Sequence, residues 1–255
     1  MNWKDRLVLV TGASAGIGEA TARAFAKEGA RLILIARRLD RLEKLSRTLK
    51  EQFGTDSLTL PMDLRKYESI PEDLEKIPAD WRTIDVLVNN AGLARGIGKL
   101  HEGDLSDWEE MIDVNIKGLL AVSRVVIPWM LDRNKGHVIN IGSIAGHEAY
   151  PGGNVYCATK FAVRALSRGM KMDLTGTPIR VTSIDPGLVE TEFSLVRFKG
   201  DKERASQPYK GLVPLRSEDI AEAVLWSASR PEHVNITEMI IFPTAQSSST
   251  LAHRT

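Results

Sequence analysis

Ser143, Tyr156 and Lys160 are the residues of this chain whose types and spacing could run proton chemistry. Tyr156 and Lys160 stand four positions apart in a stretch whose pattern predicts a helix, so their Cβ atoms share one face roughly 5–6 Å apart. A free phenol loses its proton near pH ~10. A neighbouring ammonium favours the phenolate, which predicts an acid or base usable closer to neutrality. Ser143 follows the apolar run HVINIG, whose end lifts its hydroxyl to the top of a sheet. A tyrosine four residues before a lysine can also be coincidence, so the elements around the pair decide its meaning.

Those elements alternate. Arg6 to Thr11 (RLVLVT) reads as a continuous apolar strand covered on both faces, and it feeds the glycine-rich segment TGASAGIG and a helix carrying Ile17, Ala20, Ala24 and Phe25. Gly12, Gly16 and Gly18 therefore fall in a strand-to-helix turn. There, missing Cβ atoms let a helix N-terminus approach a pyrophosphate, or simply close the turn. Arg31 to Ala36 is the second strand, and it ends in Arg37-Arg38. An acidic residue near this point grips the ribose of NAD, whereas arginine accommodates the 2′-phosphate of NADP. The two arginines favour NADP over NAD, and the competing reading is a pair of solvated charges at a helix start.

Leu39, Leu42, Leu45, Leu49 and Phe53 form one stripe of a surface helix. Leu58 to Met62 is strand three. Asp63 and Leu64 follow at its carboxyl end, and the Asp63 carboxylate either accepts from an adenine amino group or caps the next segment of chain. Pro71 to Ile77 is a short helix, and Ile84 to Val88 is a strand that ends in Asn89-Asn90-Ala91-Gly92. Helical periodicity runs from Leu105 to Asn134, with Pro128 expected to bend or break it. Asn115 lies inside that helix, where an asparagine competing for backbone hydrogen bonds invites a reason. Ile179 to Ile184 is strand six, followed by Pro186-Gly187 and Thr191 over the cofactor's nicotinamide end. Residues 188–214 are polar, basic and weakly patterned and suit a lid within the domain. Ser217 to Arg230 is a capped amphipathic helix whose N-terminus is marked by Ser217 with Asp219 and Ile220, and Met239 to Phe242 is the last strand. The tail QSSSTLAHRT has no core-forming pattern and is expected to be loose or used in oligomer contacts.

Together these elements predict α/β architecture: one doubly wound (Rossmann) domain over residues 1–255, its mostly parallel, seven-stranded sheet flanked by helices. Gly12, Arg37, Asp63, Asn90, Ser143 and Pro186 all fall at carboxyl ends of strands, where such sheets bind ligands. Composition sets the outer bounds. With 255 residues, 43% hydrophobic content and a net charge of +1, the chain gives no support for nucleic acid or an anionic membrane as its main partner. A single cysteine, Cys157, excludes an internal disulfide and reads as a packing residue. No apolar run approaches the ~20 residues that span a bilayer, and the N-terminus lacks a signal-peptide layout, so the expected setting is cytoplasmic. His147 could line the pocket; no partner with suitable spacing makes it a metal ligand, and no metal is expected.

TGASAGIG (Thr11 to Gly18), NNAG, Asn115, Ser143, YCATK and PGLVET (Pro186 to Thr191) resemble the short-chain dehydrogenase/reductase family over essentially the whole chain. The resemblance implies that Tyr156 exchanges a proton with the substrate oxygen while Ser143 holds that oxygen. It further implies that Lys160 bonds the nicotinamide ribose and lowers the tyrosine pKa, and that Asn115 keeps a water in the relay. Gly12, Ser14, Ile17, Gly18, Arg37, Arg38, Asp63, Leu64, Asn90, Ala91, Gly92, Tyr156, Lys160, Pro186, Gly187, Val189 and Thr191 are then the expected NADP(H) contacts. IARRLDRLEKL, AYPGGNVYCATKFAVR, PGLVETEFSLVRFKGD and FPTAQ are similar to the NADP-dependent 3-hydroxy acid, serine and allo-threonine dehydrogenases, which implies a homotetramer acting on small 3-hydroxy acids. A substrate carboxylate needs a cation, for which Arg197, Lys199, Arg95 and His147 are candidates, Arg197 foremost. The rival readings are a family reductase of sugars, pteridines or xenobiotic ketones, and a cofactor-binding sensor without turnover.

Overall fold

The first strand explains the layering. In β1 (Leu7–Thr11) every side chain is buried, and alternate residues go to opposite faces. Val8 and Val10 join Leu32 and Leu34 of β2 (Arg31–Ala36) in one core, and Leu7 and Leu9 join Ile33 and Ile35 in another. The first core is closed by α1 (Gly16–Lys27), α2 (Leu39–Phe53) and α9 (Ser217–Ala228), which supply Phe25, Leu45 and Val224. The second is closed by α3 (Ile70–Glu75) and α5 (Leu119–Asp132) with Leu74 and Val126, and by Met170 of α6 (Asn154–Asp173). This is a computed structural model, and it describes residues 2–255.

The remaining strands are β3 (Ser57–Pro61), β4 (Ile84–Asn89), β5 (His137–Ile141), β6 (Arg180–Pro186) and β7 (Glu238–Ile241). Among the described residues they form one seven-stranded sheet in the order β3-β2-β1-β4-β5-β6-β7, and every pairing is parallel. The "mostly parallel" expectation is thus tightened to all-parallel. The order reverses direction between β1 and β4, and that switch point opens a crevice beyond the strands' carboxyl ends.

Four expectations are corrected locally. Leu39 and Phe53, the ends of the α2 stripe, are exposed, and Gly54 in the left-handed region (φ 70°) stops the helix just beyond. Helix α9 is capped by Asp219, whose carboxylate accepts from the Arg216 N–H at 2.7 Å, with Ser217 already inside the helix. Pro128 does not break α5, because it lies on the solvent side where the carbonyl it frees can meet water. The helix from α4 (Leu105–Ile112) through α5 runs 28 residues, long and apolar enough by composition to cross a membrane. Here its apolar side is instead spent on the second core: Val122, Val126 and Met130 are fully buried.

Candidate active site

The strand end after β5 and the first turns of α6 build the centre of the crevice. Ser143 opens a tight turn, its Oγ accepting from the Ala145 N–H at 3.1 Å. Tyr156 and Lys160 are 8% and 6% exposed, one helical turn apart, and both line the crevice with Ser143. The Lys160 ammonium donates to the Ile141 carbonyl at 2.8 Å. Burial pushes this lysine down to about 8, against the opposing pull of the Asp185 carboxylate. Burial likewise raises the Tyr156 phenol above its ordinary value, and the groups that pull it back are the Ser143 hydroxyl and the Arg197 guanidinium. The cation facing the phenol ring is Arg197. A buried neutral phenol is the acid form, ready to give a proton to a developing alkoxide.

Asn115 sits in a π-helical turn, Asp113–Gly118, joining α4 to α5, and this irregularity answers the mid-helix question. Its Oδ1 accepts from the Leu93 N–H at 2.9 Å, and its Nδ2 donates to the Leu93 carbonyl at 2.9 Å and to Thr159 Oγ1 at 3.0 Å. The side chain joins the segment after NNAG to α6. Asn115 does not line the crevice, and neither does Gly18.

The nucleotide end shows why glycines are required. Gly12 has φ +67°, and a Cβ there would meet Asn90 Nδ2 at 2.8 Å and Ala91 Cα at 2.9 Å. A Cβ on Gly18 would lie 2.4 Å from the Gly12 carbonyl oxygen, so α1 could not close on β1. Asn90 Nδ2 donates to the Thr11 and Gly12 carbonyls at 2.9 and 3.3 Å, and Thr11 Oγ1 accepts from Asn90 and Ala91 N–H at 3.0 Å each. Asn89 instead turns into the core, donating to Asn140 and Ser123. Ser14, Ile17, Arg37, Arg38, Asp63, Leu64, Gly92, Pro186, Gly187, Val189 and Thr191 all line the same crevice of about 570 Å³.

Arg38 donates to Ser14 Oγ at 3.0 and 3.3 Å and pairs with Glu192 at 3.0 Å, whereas Arg37 stands 3.8 Å from Glu110. Both Asp63 oxygens accept from Arg65, so an adenine amino group would compete with a guanidinium there. Thr191 Oγ1 accepts from the Phe193 N–H at 3.1 Å and keeps its own proton for donation. The glycine cradle, the free amides at the start of α1 and an arginine already holding a carboxylate are a donor set that fits a phosphorylated dinucleotide.

At the other end, the four candidate cations separate. Arg197 lies in the crevice with its guanidinium carbon 5.4 Å from the Tyr156 ring centroid and 5.5 Å from that of Tyr150. It donates to the Gly96 carbonyl at 3.0 Å and to the Tyr150 hydroxyl at 2.6 Å. Lys199 pairs outside with Asp107, and Arg95 is held by Glu110 and the Val196 carbonyl. His147 faces away from the crevice: its Nε2 meets buried Asp185 at 2.7 Å, with Glu238 at 4.0 Å. Ligand atoms of these three lie within 4.8 Å of one another, a grouping the sequence spacing does not reveal, and Arg164 and Arg168 pair with Glu238.

Two contributions have no signal in the sequence reading. Tyr150 carries no local mark beyond its distance from Tyr156. The tail is not loose: Gln246 Oε1 accepts from the Leu188 N–H at 2.8 Å, Ser249 N–H donates to Glu148, and Arg254 donates to the carbonyls of Pro208 and Lys210. Gln246 and residues 248–252 thereby wall the crevice, a pairing no local pattern announces.

Known proteins are similar to this chain over nearly its whole length. The family model described as short chain dehydrogenase matches residues 6–201. An NADP-dependent 3-hydroxy acid dehydrogenase of Salmonella typhi is 51% identical over 250 residues, covering 97% of this chain and 99% of that protein. One from Schizosaccharomyces pombe is 42% identical over 250 residues, covering 98% and 96%. Among solved structures, the closed form of serine dehydrogenase complexed with NADP+ superposes with a TM-score of 0.90 at 48% identity, covering 98% of this chain and 100% of that one. The chain is a member of the short-chain dehydrogenase family.

Proposed function

We propose that this chain is an NADP-dependent oxidoreductase that reversibly oxidises the 3-hydroxyl of small 3-hydroxy acids, of the serine, allo-threonine, 3-hydroxypropanoate or 3-hydroxyisobutyrate type. The observation that carries the reading is the placing of Arg197 against the ring of Tyr156 at the far end of the dinucleotide crevice. A cation for a carboxylate thus faces the ring of the acid for an alcohol oxygen. The identities of 51% and 42% to proteins named for this activity support it.

When bound, NADP(H) supplies the hydride donor or acceptor. Tyr156 gives a proton to the carbonyl oxygen in reduction and takes it from the hydroxyl in oxidation, while the Ser143 hydroxyl holds that oxygen in place. Lys160 and Tyr156 hold the nicotinamide ribose. Gly12, Ser14, Ile17, Asn90, Ala91 and Gly92 bind the dinucleotide's middle, with Gly18 closing α1 behind them. Arg37 and Arg38 bind its 2′-phosphate, Asp63 and Leu64 flank the adenine, and Pro186, Gly187, Val189 and Thr191 flank the nicotinamide. Asn115 keeps the relay wall in register by joining Leu93 to Thr159. Arg197 binds the substrate carboxylate, and residues 188–214, with the tail against them, act as the lid. We place the enzyme in the cytoplasm as a homotetramer.

The test crosses NADP and NAD with serine, allo-threonine, 3-hydroxypropanoate, 3-hydroxyisobutyrate and neutral alcohols, followed by nicotinamide absorbance. Turnover with NADP on the hydroxy acids is expected. Turnover confined to alcohols lacking a carboxylate would overturn the substrate class.

A further inference from the structure

One carboxylate at the crevice mouth serves neither the nucleotide nor the substrate directly. Glu192, the first residue of α7 (Glu192–Arg197), has its carboxylate wholly taken up by two guanidinium groups. Arg41 Nη1 donates to Oε1 at 2.8 Å and to Oε2 at 3.0 Å, and Arg38 Nη1 donates to Oε2 at 3.0 Å. The remaining Arg38 nitrogens reach Ser14 in the glycine-rich turn. Arg41 makes no other ion pair among the described residues. A carboxylate thus sits where two arginines converge at the mouth of the dinucleotide crevice, and it is carried by the segment that covers the crevice.

Resting on the NADP reading, we propose that Arg41 and Glu192 belong to the coenzyme's 2′-phosphate site, with the Glu192 carboxylate as an internal counter-anion that the 2′-phosphate displaces. A phosphomonoester is a stronger acceptor for a guanidinium fork than a carboxylate and carries more charge. Brought to Arg38, it stands next to Glu192 and repels it. The three side chains are 41%, 41% and 43% exposed, so these pairs are weak and exchange readily. Displacement frees the first turn of α7 from the α2 side of the crevice, so the covering segment can move when the phosphorylated coenzyme arrives. A dinucleotide without that phosphate leaves the carboxylate in its seat. Phosphate affinity and segment freedom are then two readings of one coupling, and each must change the other.

Calorimetry of the whole chain with adenosine 2′,5′-bisphosphate and with adenosine 5′-monophosphate tests this, alongside hydrogen exchange across residues 192–197. Glu192→Gln should raise affinity for the bisphosphate about three- to tenfold and leave the monophosphate unchanged. Arg41→Gln should lower affinity for the bisphosphate by a similar factor. Exchange at residues 192–197 should quicken in the unmodified protein on adding the bisphosphate but not the monophosphate. Unchanged or weakened bisphosphate binding in Glu192→Gln, or exchange indifferent to the bisphosphate, overturns the displacement. Equal binding of the two nucleotides by the unmodified protein would overturn the NADP reading itself, which is a separate result.

Discussion

The crevice is walled by two kinds of structure. On the nucleotide side the contacts come from strand ends and the helix starts that follow them, so tight that a Cβ added at Gly18 would lie 2.4 Å from both the Gly12 carbonyl oxygen and Asn90 Nδ2. On the substrate side they come from short helices, loops and a returning tail, and the contacts are side chain to carbonyl or amide, as for Arg197 on Gly96, Arg254 on Pro208 and Gln246 on Leu188. The contacts at the glycine turn cannot yield without moving the strand end they follow. The second kind can, because its hydrogen bonds are individually worth about 1 kcal/mol and partly face water. A rigid half fixes a common coenzyme, and a pliable half is where substrate choice is set. Tyr156, on α6, belongs to both.

Replacing the residue that joins the halves should have the largest effect. Tyr156→Phe is expected to lower kcat by about a thousandfold or more while coenzyme affinity stays within a few-fold, measured by steady-state kinetics and titration. Activity within tenfold of the unmodified protein would break the acid/base role. Gly18→Ala probes the rigid half: with two backbone atoms in the way, coenzyme affinity should fall about a hundredfold, equivalent to about 3 kcal/mol, or the fold should loosen measurably by thermal melting. Affinity unchanged by that methyl group would mean the turn is not rigid.

Arg197→Gln probes the pliable half. KM for hydroxy acids should rise about ten- to fiftyfold with neutral alcohols little affected, since a charged hydrogen bond is worth about 1.5–3 kcal/mol. The same change carries a pH signature. The guanidinium favours the phenolate, so its removal leaves burial less opposed and raises the Tyr156 pKa further. The alkaline rise of the oxidation rate should move to higher pH, and a shift to lower pH would contradict the cation's placement.

The smallest effect concerns stability. Burial of Lys160 lowers it from 10.5 to about 8, a cost on the order of 3 kcal/mol. Losing its bond to the Ile141 carbonyl returns about 1 kcal/mol. Lys160→Met, although inactive, should therefore be more stable than the unmodified protein by about 1–2 kcal/mol at pH 7, a few degrees in Tm. Linkage sets the sign. Below about pH 8 the lysine is charged in both states and the cost is complete, and it vanishes as pH rises toward 10.5, so the gap between the proteins should narrow over that range. A gap that widens with pH would refute the buried-charge account.

The same division decides what can be read from the sequence. Strand runs, the glycine turn, NNAG and the Ser143-Tyr156-Lys160 set are local patterns, each carrying its own geometry, and the structure brings them to one crevice. Asn115 is visible in sequence as an oddity, though its π-turn and its ties to Leu93 and Thr159 are not. On the pliable side the signals are long-range. Nothing near Gln246 says that it bonds Leu188, nothing near Glu192 points to Arg41, and His147 has the position of a pocket residue in the chain while Asp185 holds it elsewhere. Lys160 donates to the Ile141 carbonyl, and the guanidinium over the phenol ring comes from Arg197, 41 positions away from Tyr156 in the chain.

Transfer of label from carbon to coenzyme follows the hydride itself. With allo-threonine deuterated at C3 and NADP+ in ordinary water, hydride transfer from C3 should leave one deuterium in each NADPH formed, with a matching summed yield of the 2-amino-3-oxo acid and the aminoketone it gives by loss of CO2. NADPH free of deuterium, or no NADPH formed from any 3-hydroxy acid, would contradict it.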